Sequence, residues 1–276
     1  MDKKEINYTE LLKEAITKPG KLLEAYRAFH NFSLLNRIYA FWQLSDLGKE
    51  ITPIKTFKQW RETSRDVKKG EKALELCMPV TKIWYKYTKN KRAIPSGTPK
   101  EQINKMLASG EIEKFQYKDF MFKKYWFALS QTTGEEFSPD DVNINWNKDK
   151  ALKKLEINEV PFQTLNGNAQ GYATFNNEIA INPLAQLPIK TLFHEISHVL
   201  LGHTKKEVLT DSENLPLNII EAEAEATALL CLESLGLEGG DYCRGYIQSW
   251  LRGNEIPEKS AKRIISAAEK ILKSGA

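Results

Sequence analysis

HEISHVLLGH, residues 194–203, holds three of the chain's four histidines, and its reading decides the fold of the carboxy-terminal half. Apolar residues at 189, 192, 193, 196, 199 and 200 follow helical spacing, Pro188 suits a helix start and Gly202 suits its end. The stretch is therefore expected to be a helix. His194 and His198, four apart, share one side of it, while Glu195 is turned by about 100° from His194. This is the HExxH arrangement, in which two imidazoles bind one cation and the glutamate reaches a water beside it.

Three protein ligands and a water complete such a centre, so a third donor is needed. PLNIIEAEAEATALLCLESLG, residues 216–236, offers it on a second helix. Ile220, Ala224, Ala228, Cys231 and Leu235 form an apolar sector that includes Glu221 and Glu225, with Glu223 and Glu233 outside it. A carboxylate on an apolar face is costly to bury unless it is paired or binds a metal. Glu221 and Glu225 are thus the leading candidates, with Glu223 as the alternative ligand. Gly202 and His203 follow His198 at the wrong distances for the longer HExxHxxGxxH pattern, so His203 is read as a helix-end residue or one that orients a ligand.

Upstream, GYATFNNEIAIN, residues 171–182, alternates about Asn176-Asn177 and reads as a β-hairpin. Its strand could pair with an extended peptide. Glu195 would accept the proton of the activated water, and Tyr246, or Tyr242, in DYCRGYIQSW could stabilise the developing oxyanion.

The 276 residues allow two ordinary domains, and the net charge of +4 conceals an asymmetry. Residues 1–137 carry 26 Lys+Arg and 17 Asp+Glu; residues 138–276 carry 14 and 19. The Asp-, Asn- and Pro-containing stretch 138–150 lies between them and is read as a linker joining an α+β domain, 1–137, to a second, 151–276. No apolar run approaches a membrane span, and three cysteines without CxxC spacing fit reduced thiols. Both features fit a cytoplasmic protein. In the basic half, residues 55–92 carry 12 Lys+Arg against 4 acids, with aromatic residues interspersed. Cations for phosphates and rings for bases suit single-stranded nucleic acid, with Lys58, Trp60, Arg61, Lys68, Lys69 and Lys72 as candidate contacts. A helix is expected near 57–67, two strands at LELCMPV and KIWYKY, and a loop or short helix within 93–124 before a strand at 125–130.

The motifs also carry a resemblance. An HExxH followed by ExxxE resembles the gluzincin pattern, which implies that Glu221 binds the metal and Glu225 orients a histidine ligand. The series FHNFSLLNRIYAFWQL, FKQWRETSRDVKKGEKALELCMPV and YWFALSQTTG resembles the amino-terminal single-stranded-DNA-binding domain of ArdC-type antirestriction proteins. HEISHVLLGH, EAEAEATALLCLESLG and YIQSWL resemble the zincin-like metallopeptidase domain that follows it there, and residues 170–236 are similar to ImmA/IrrE metallopeptidases. ImmA/IrrE members usually carry asparagine where Glu225 stands. The resemblance implies Zn2+, or another divalent ion such as Mn2+, at His194, His198 and Glu221, with Glu195 as acid/base. It further implies a mobile-element protein that protects incoming DNA from restriction. Two rival functions are a regulatory metalloprotease acting on a repressor or another cellular protein, and a non-enzymatic DNA-binding module with a structural metal.

Overall fold

A computed structural model describes residues 7–139, 145–163, 168–204 and 215–276. Its contacts separate two units, Met1–Leu74 with Trp126–Ala276, and Glu75–Tyr125. The units are not the halves drawn at 138–150. Residues 140–144 of that stretch lie outside the described residues, and by Lys148 the chain has entered a helix.

In the larger unit, α1 (Tyr8–Thr17), α2 (Lys21–Ala28) and α3 (Leu34–Asp46) come first. The aromatic-rich stretch 22–44 is two helices, because the chain turns at 29–33 and Ser33 caps α3 by accepting from the Asn36 amide. Next come β1 (Ile54–Thr56), α4 (Phe57–Glu62) and β2 (Arg65–Val67). The single helix expected over 57–67 is therefore short: Ser64 adopts φ 56°, and the chain leaves as a strand. The carboxy-terminal part adds α6 (Lys148–Leu155), β6 (Asn158–Glu159), β7 (Gly171–Ala173), β8 (Glu178–Ile181), α7 (Pro188–Leu201), α8 (Leu217–Leu235), α9 (Gly240–Leu251) and α10 (Glu258–Gly275).

The centre of this unit is α8. It packs against α7, α9, α10 and α2, and its residues from Ala222 to Leu232 are all buried. A helix apolar on every side is an interior helix. Alanines at 222, 224, 226 and 228 let the neighbouring helices approach closely. The amino-terminal helices belong to the same body: the Tyr8 and Thr9 amides donate to Glu258, and the Gly20 amide donates to Glu233 Oε2 at 2.8 Å. Arg244 donates to Ile16 O at 2.6 Å and pairs with Glu233 at 2.6 Å.

Beside α7 lies a small sheet of order β6-β8-β7. β7 and β8 form the expected hairpin, with Gly171 opposite Ile181 and Asn177 in the left-handed region at φ 58°. β7 is left at the sheet edge.

The smaller unit is built on two long strands, β3 (Leu74–Tyr87) and β4 (Ile112–Ala128), with α5 (Lys100–Ala108) between them in sequence. The two strands expected within 74–87 are one, and the sheet order β1-β4-β3 leaves Pro79 on an edge strand, where proline is accepted. Within 93–124, read as a loop or a short helix, α5 is that helix, and 112–124 is the first part of a 17-residue strand. After β4, β5 (Thr132–Gly134) pairs with β2 in the larger unit.

Candidate metal centre

Pro188 opens α7, and Gly202 closes it in the left-handed region at φ 75°. One turn of this helix places His194 Nε2 3.0 Å from His198 Nε2. From α8, Glu221 Oε2 stands 3.5 Å from the first nitrogen and 3.8 Å from the second. A tetrahedral ion with bonds of ~2.0–2.1 Å holds its ligand atoms about 3.3 Å apart. The three observed separations bracket that value. His194, His198 and Glu221 thus form a group able to hold one divalent cation.

The charges of the group shift one another. Burial works against charge on His194, but the carboxylates of Glu221 and Glu225 outweigh it and push its pKa up to about 9. Burial and the positive His194 push His198 down to about 4. Glu195 is buried, and burial raises its carboxyl to about 7, in the range of a proton acceptor and donor near neutrality.

Two carboxylates stand behind the histidines. Glu225 Oε1 lies 3.2 Å from His194 Nδ1 and 2.6 Å from Lys190 Nζ. Lys190 is one helical turn before His194, a spacing visible in the sequence but not read there. On the other ligand, His198 Nδ1 meets His203 Nδ1 at 3.0 Å, and His203 Nε2 meets Glu223 Oε2 at 2.8 Å. Glu223 was expected outside the apolar sector and was the rival ligand. It is instead fully buried, because α8 has neighbours on all sides, and it serves His203 and Arg263 rather than the donor group.

The centre opens on a cavity of about 440 Å³ lined by Gly171 and Ala173 of β7, His194, Glu195 and His198 of α7, and Leu217, Ile220 and Glu221 of α8, among others. Gly171 is required for this arrangement. A Cβ there would stand 2.7 Å from Thr191 Cγ2, 2.9 Å from Ala180 O and 3.0 Å from Glu195 Oε1. Tyr246 does not line the cavity. Its ring is half exposed and lies under the Lys190 ammonium at 4.7 Å, so it is not brought to the position an oxyanion donor needs. Tyr242 is also exposed and absent from the cavity wall.

No family model matches the sequence. An uncharacterized protein of Bacillus anthracis is 24% identical over 245 residues, which cover 78% of this chain and 40% of that protein. The chain spans about two fifths of the length of that relative. The metal-free crystal structure of the antirestriction ArdC protein of plasmid R388 superposes with a TM-score of 0.50 at 19% identity, covering 97% of this chain and 94% of that one. Its Mn(II)-bound structure superposes with a TM-score of 0.53 at 16% identity, covering 99% of both chains. The chain has the ArdC fold.

Within the ArdC fold, the expected DNA contacts divide. Lys58, Arg61, Lys68, Lys69 and Lys72 are exposed, with Arg61 beside Asp66 at 3.4 Å and Lys68 Nζ donating to Ser130 O at 3.0 Å. Trp60 is a correction: it is 0% exposed, its Nε1 donates to Phe127 O at 2.7 Å, and its ring meets Phe137 edge-on at 5.2 Å. A ring so enclosed cannot stack on a base. Exposed rings are found in the smaller unit, where Trp84 lies 6.1 Å from Phe115 and 6.0 Å from Tyr117, and Lys86 Nζ sits 4.3 Å over Trp84. Glu75–Tyr125 holds 11 Lys+Arg and 5 Asp+Glu, so this unit carries +6 and the rest of the chain −2. That concentration was legible in the sequence once the strands were placed.

Proposed function

We propose that the chain is an antirestriction protein of a mobile element that binds single-stranded DNA in the cytoplasm and carries a divalent-metal peptidase centre. The observation that supports this most is the joint one: the ArdC fold over nearly the whole chain, with three metal-donor groups converging beside a buried glutamate. His194, His198 and Glu221 would hold a divalent cation, which would supply polarisation of a carbonyl and a water acidic enough to be deprotonated near neutral pH. Zinc suits this donor set, and manganese competes with it, because two imidazoles and a carboxylate do not select sharply.

The residues of the chain then have separate tasks. Glu195 takes the proton of the attacking water and delivers it to the leaving amine. Glu225, held by Lys190, keeps His194 oriented. The outer edge of β7 pairs with the backbone of an extended peptide, which reads its direction with little demand on side chains. Among the described residues three side chains form the donor group. Trp84 and Tyr117 take the stacking role first given to Trp60, while lysines of the smaller unit meet phosphates. Among the described residues no helix is long and apolar enough to cross a membrane.

A restriction-protection assay on wild type, Glu195→Gln and Trp84→Ala/Tyr117→Ala tests the reading. Loss of protection in the ring variant with retention in Glu195→Gln assigns protection to DNA binding and separates it from hydrolysis. Wild type that neither protects DNA nor cleaves a peptide library in the presence of zinc or manganese contradicts the proposal.

A further inference from the structure

Glu223 is a fully buried carboxylate that neither the metal group nor the hydrolytic chemistry uses. Burying it requires compensation, and the structure supplies it from two sides: His203 Nε2 at 2.8 Å from Oε2, and Arg263 Nη1 at 3.3 Å from Oε1. Arg263 comes from α10 and also donates to Leu201 O at the end of α7. His203 in turn touches the ligand His198 through its other ring nitrogen, 3.0 Å away. The four residues form one chain from α10 to the donor group.

Only one proton arrangement serves this chain when His198 ligates through Nε2. A ligating imidazole is neutral with its proton on the other nitrogen, so His198 carries it on Nδ1 and donates to His203 Nδ1. His203 must then be bare at Nδ1 and protonated at Nε2, from which it donates to Glu223. The Glu223 carboxylate accepts that bond through Oε2, and its Oε1 faces the Arg263 guanidinium. Reversing the chain would place a proton on His198 Nε2, in the position the cation needs.

We infer that Glu223, held by Arg263 and acting through His203, is the positioning residue that fixes the tautomer and ring orientation of His198 for metal binding. His194 has the same arrangement in shorter form, with Glu225 3.2 Å from its Nδ1 and Lys190 in the place of Arg263. One ligand is thus set by a carboxylate directly and the other by a carboxylate through a second histidine. The inference rests on the metal reading of His194, His198 and Glu221.

The test measures Zn2+ affinity of the full chain by competition with a chromophoric chelator, together with the visible absorption of the Co2+-loaded protein. The variants are Glu223→Gln, His203→Gln and their combination. Glu233→Gln is the control, since Glu233 also sits on α8 paired with an arginine, Arg244, but touches no residue of the donor group. The expected result is a loss of affinity of about 10- to 100-fold in each single variant, with a changed Co2+ spectrum. The double variant should lose no more than His203→Gln alone, and Glu233→Gln should match wild type. If Glu223→Gln does not fold, His203→Gln carries the same two outcomes. Unchanged affinity and spectrum in the folded variants, or equal losses in Glu233→Gln, would overturn the inference. A wild type that binds neither Zn2+ nor Co2+ overturns the metal reading itself and is recognised before any variant is compared.

Discussion

The helices around α8 and the long strands β3 and β4 put similar residues to opposite use. In the first region charged groups are buried or half-buried and paired: Glu223 with His203 and Arg263, Glu225 with Lys190, Glu233 with Arg244. In the second the lysines lie at the surface and aromatic rings remain open, with Trp84 42% and Tyr117 47% exposed. Buried charge requires partners at fixed distances, which gives a site of defined geometry. Exposed charge with open rings requires none and presents a surface that a flexible polyanion can follow. A residue type therefore reports its role only after its side of the element is known.

The two tryptophans sharpen this contrast most. Trp60, enclosed between α4 and the end of β4, should cost about 3–5 kcal/mol of stability when replaced by alanine, seen as a large drop in the thermal melt. Trp84→Ala should leave the melt nearly unchanged and weaken binding of a labelled single strand by about 1–3 kcal/mol. A reversed pattern would break the comparison. Between these in kind is Gly171→Ala, where the added methyl meets Thr191, the Ala180 carbonyl and Glu195; overpacking of this sort costs about 1–3 kcal/mol, and denaturant unfolding measures it.

The smallest effect concerns how α1 is held. Burial alone would raise the Glu258 carboxyl, but the amides of Thr9 and Tyr8 outweigh it and leave its pKa below the ordinary 4.5. A depressed carboxylate contributes stability above its unfolded value and loses it as pH falls through the folded one. Glu258→Ala should therefore lower the melt slightly at neutral pH, and the difference from wild type should fade as the solution is acidified below that value. A difference that persists unchanged in acid would assign the effect to helix propensity instead.

Much of the metal centre could be read from the sequence because it rests on local spacing. Pro188 and Gly202 bound α7, and residues four apart on a helix share a face whatever surrounds them. Glu223 was misplaced for the converse reason: assigning it an outer face presumed that α8 had one, and the packing of α2, α9 and α10 removes it. Arg263 lies 40 residues from Glu223 and carries no local signal. Trp60 was misread because a ring among lysines has the same composition whether it points inward or outward. LELCMPV and KIWYKY were read as two strands, whereas β3 runs through both with Pro79 on a sheet edge, which accepts proline. The boundary at 138–150 followed the change in net charge, whereas contacts follow packing, and α1–α3 pack with the carboxy-terminal helices.

The central claim is that His194, His198 and Glu221 hold one divalent cation beside Glu195. Metal content of the purified chain tests it most directly, in wild type, Glu221→Ala and Glu195→Gln, each first shown to be folded. The account predicts about one divalent ion per chain in wild type and in Glu195→Gln, and loss of most of it in Glu221→Ala. Full retention of the ion in Glu221→Ala would contradict it.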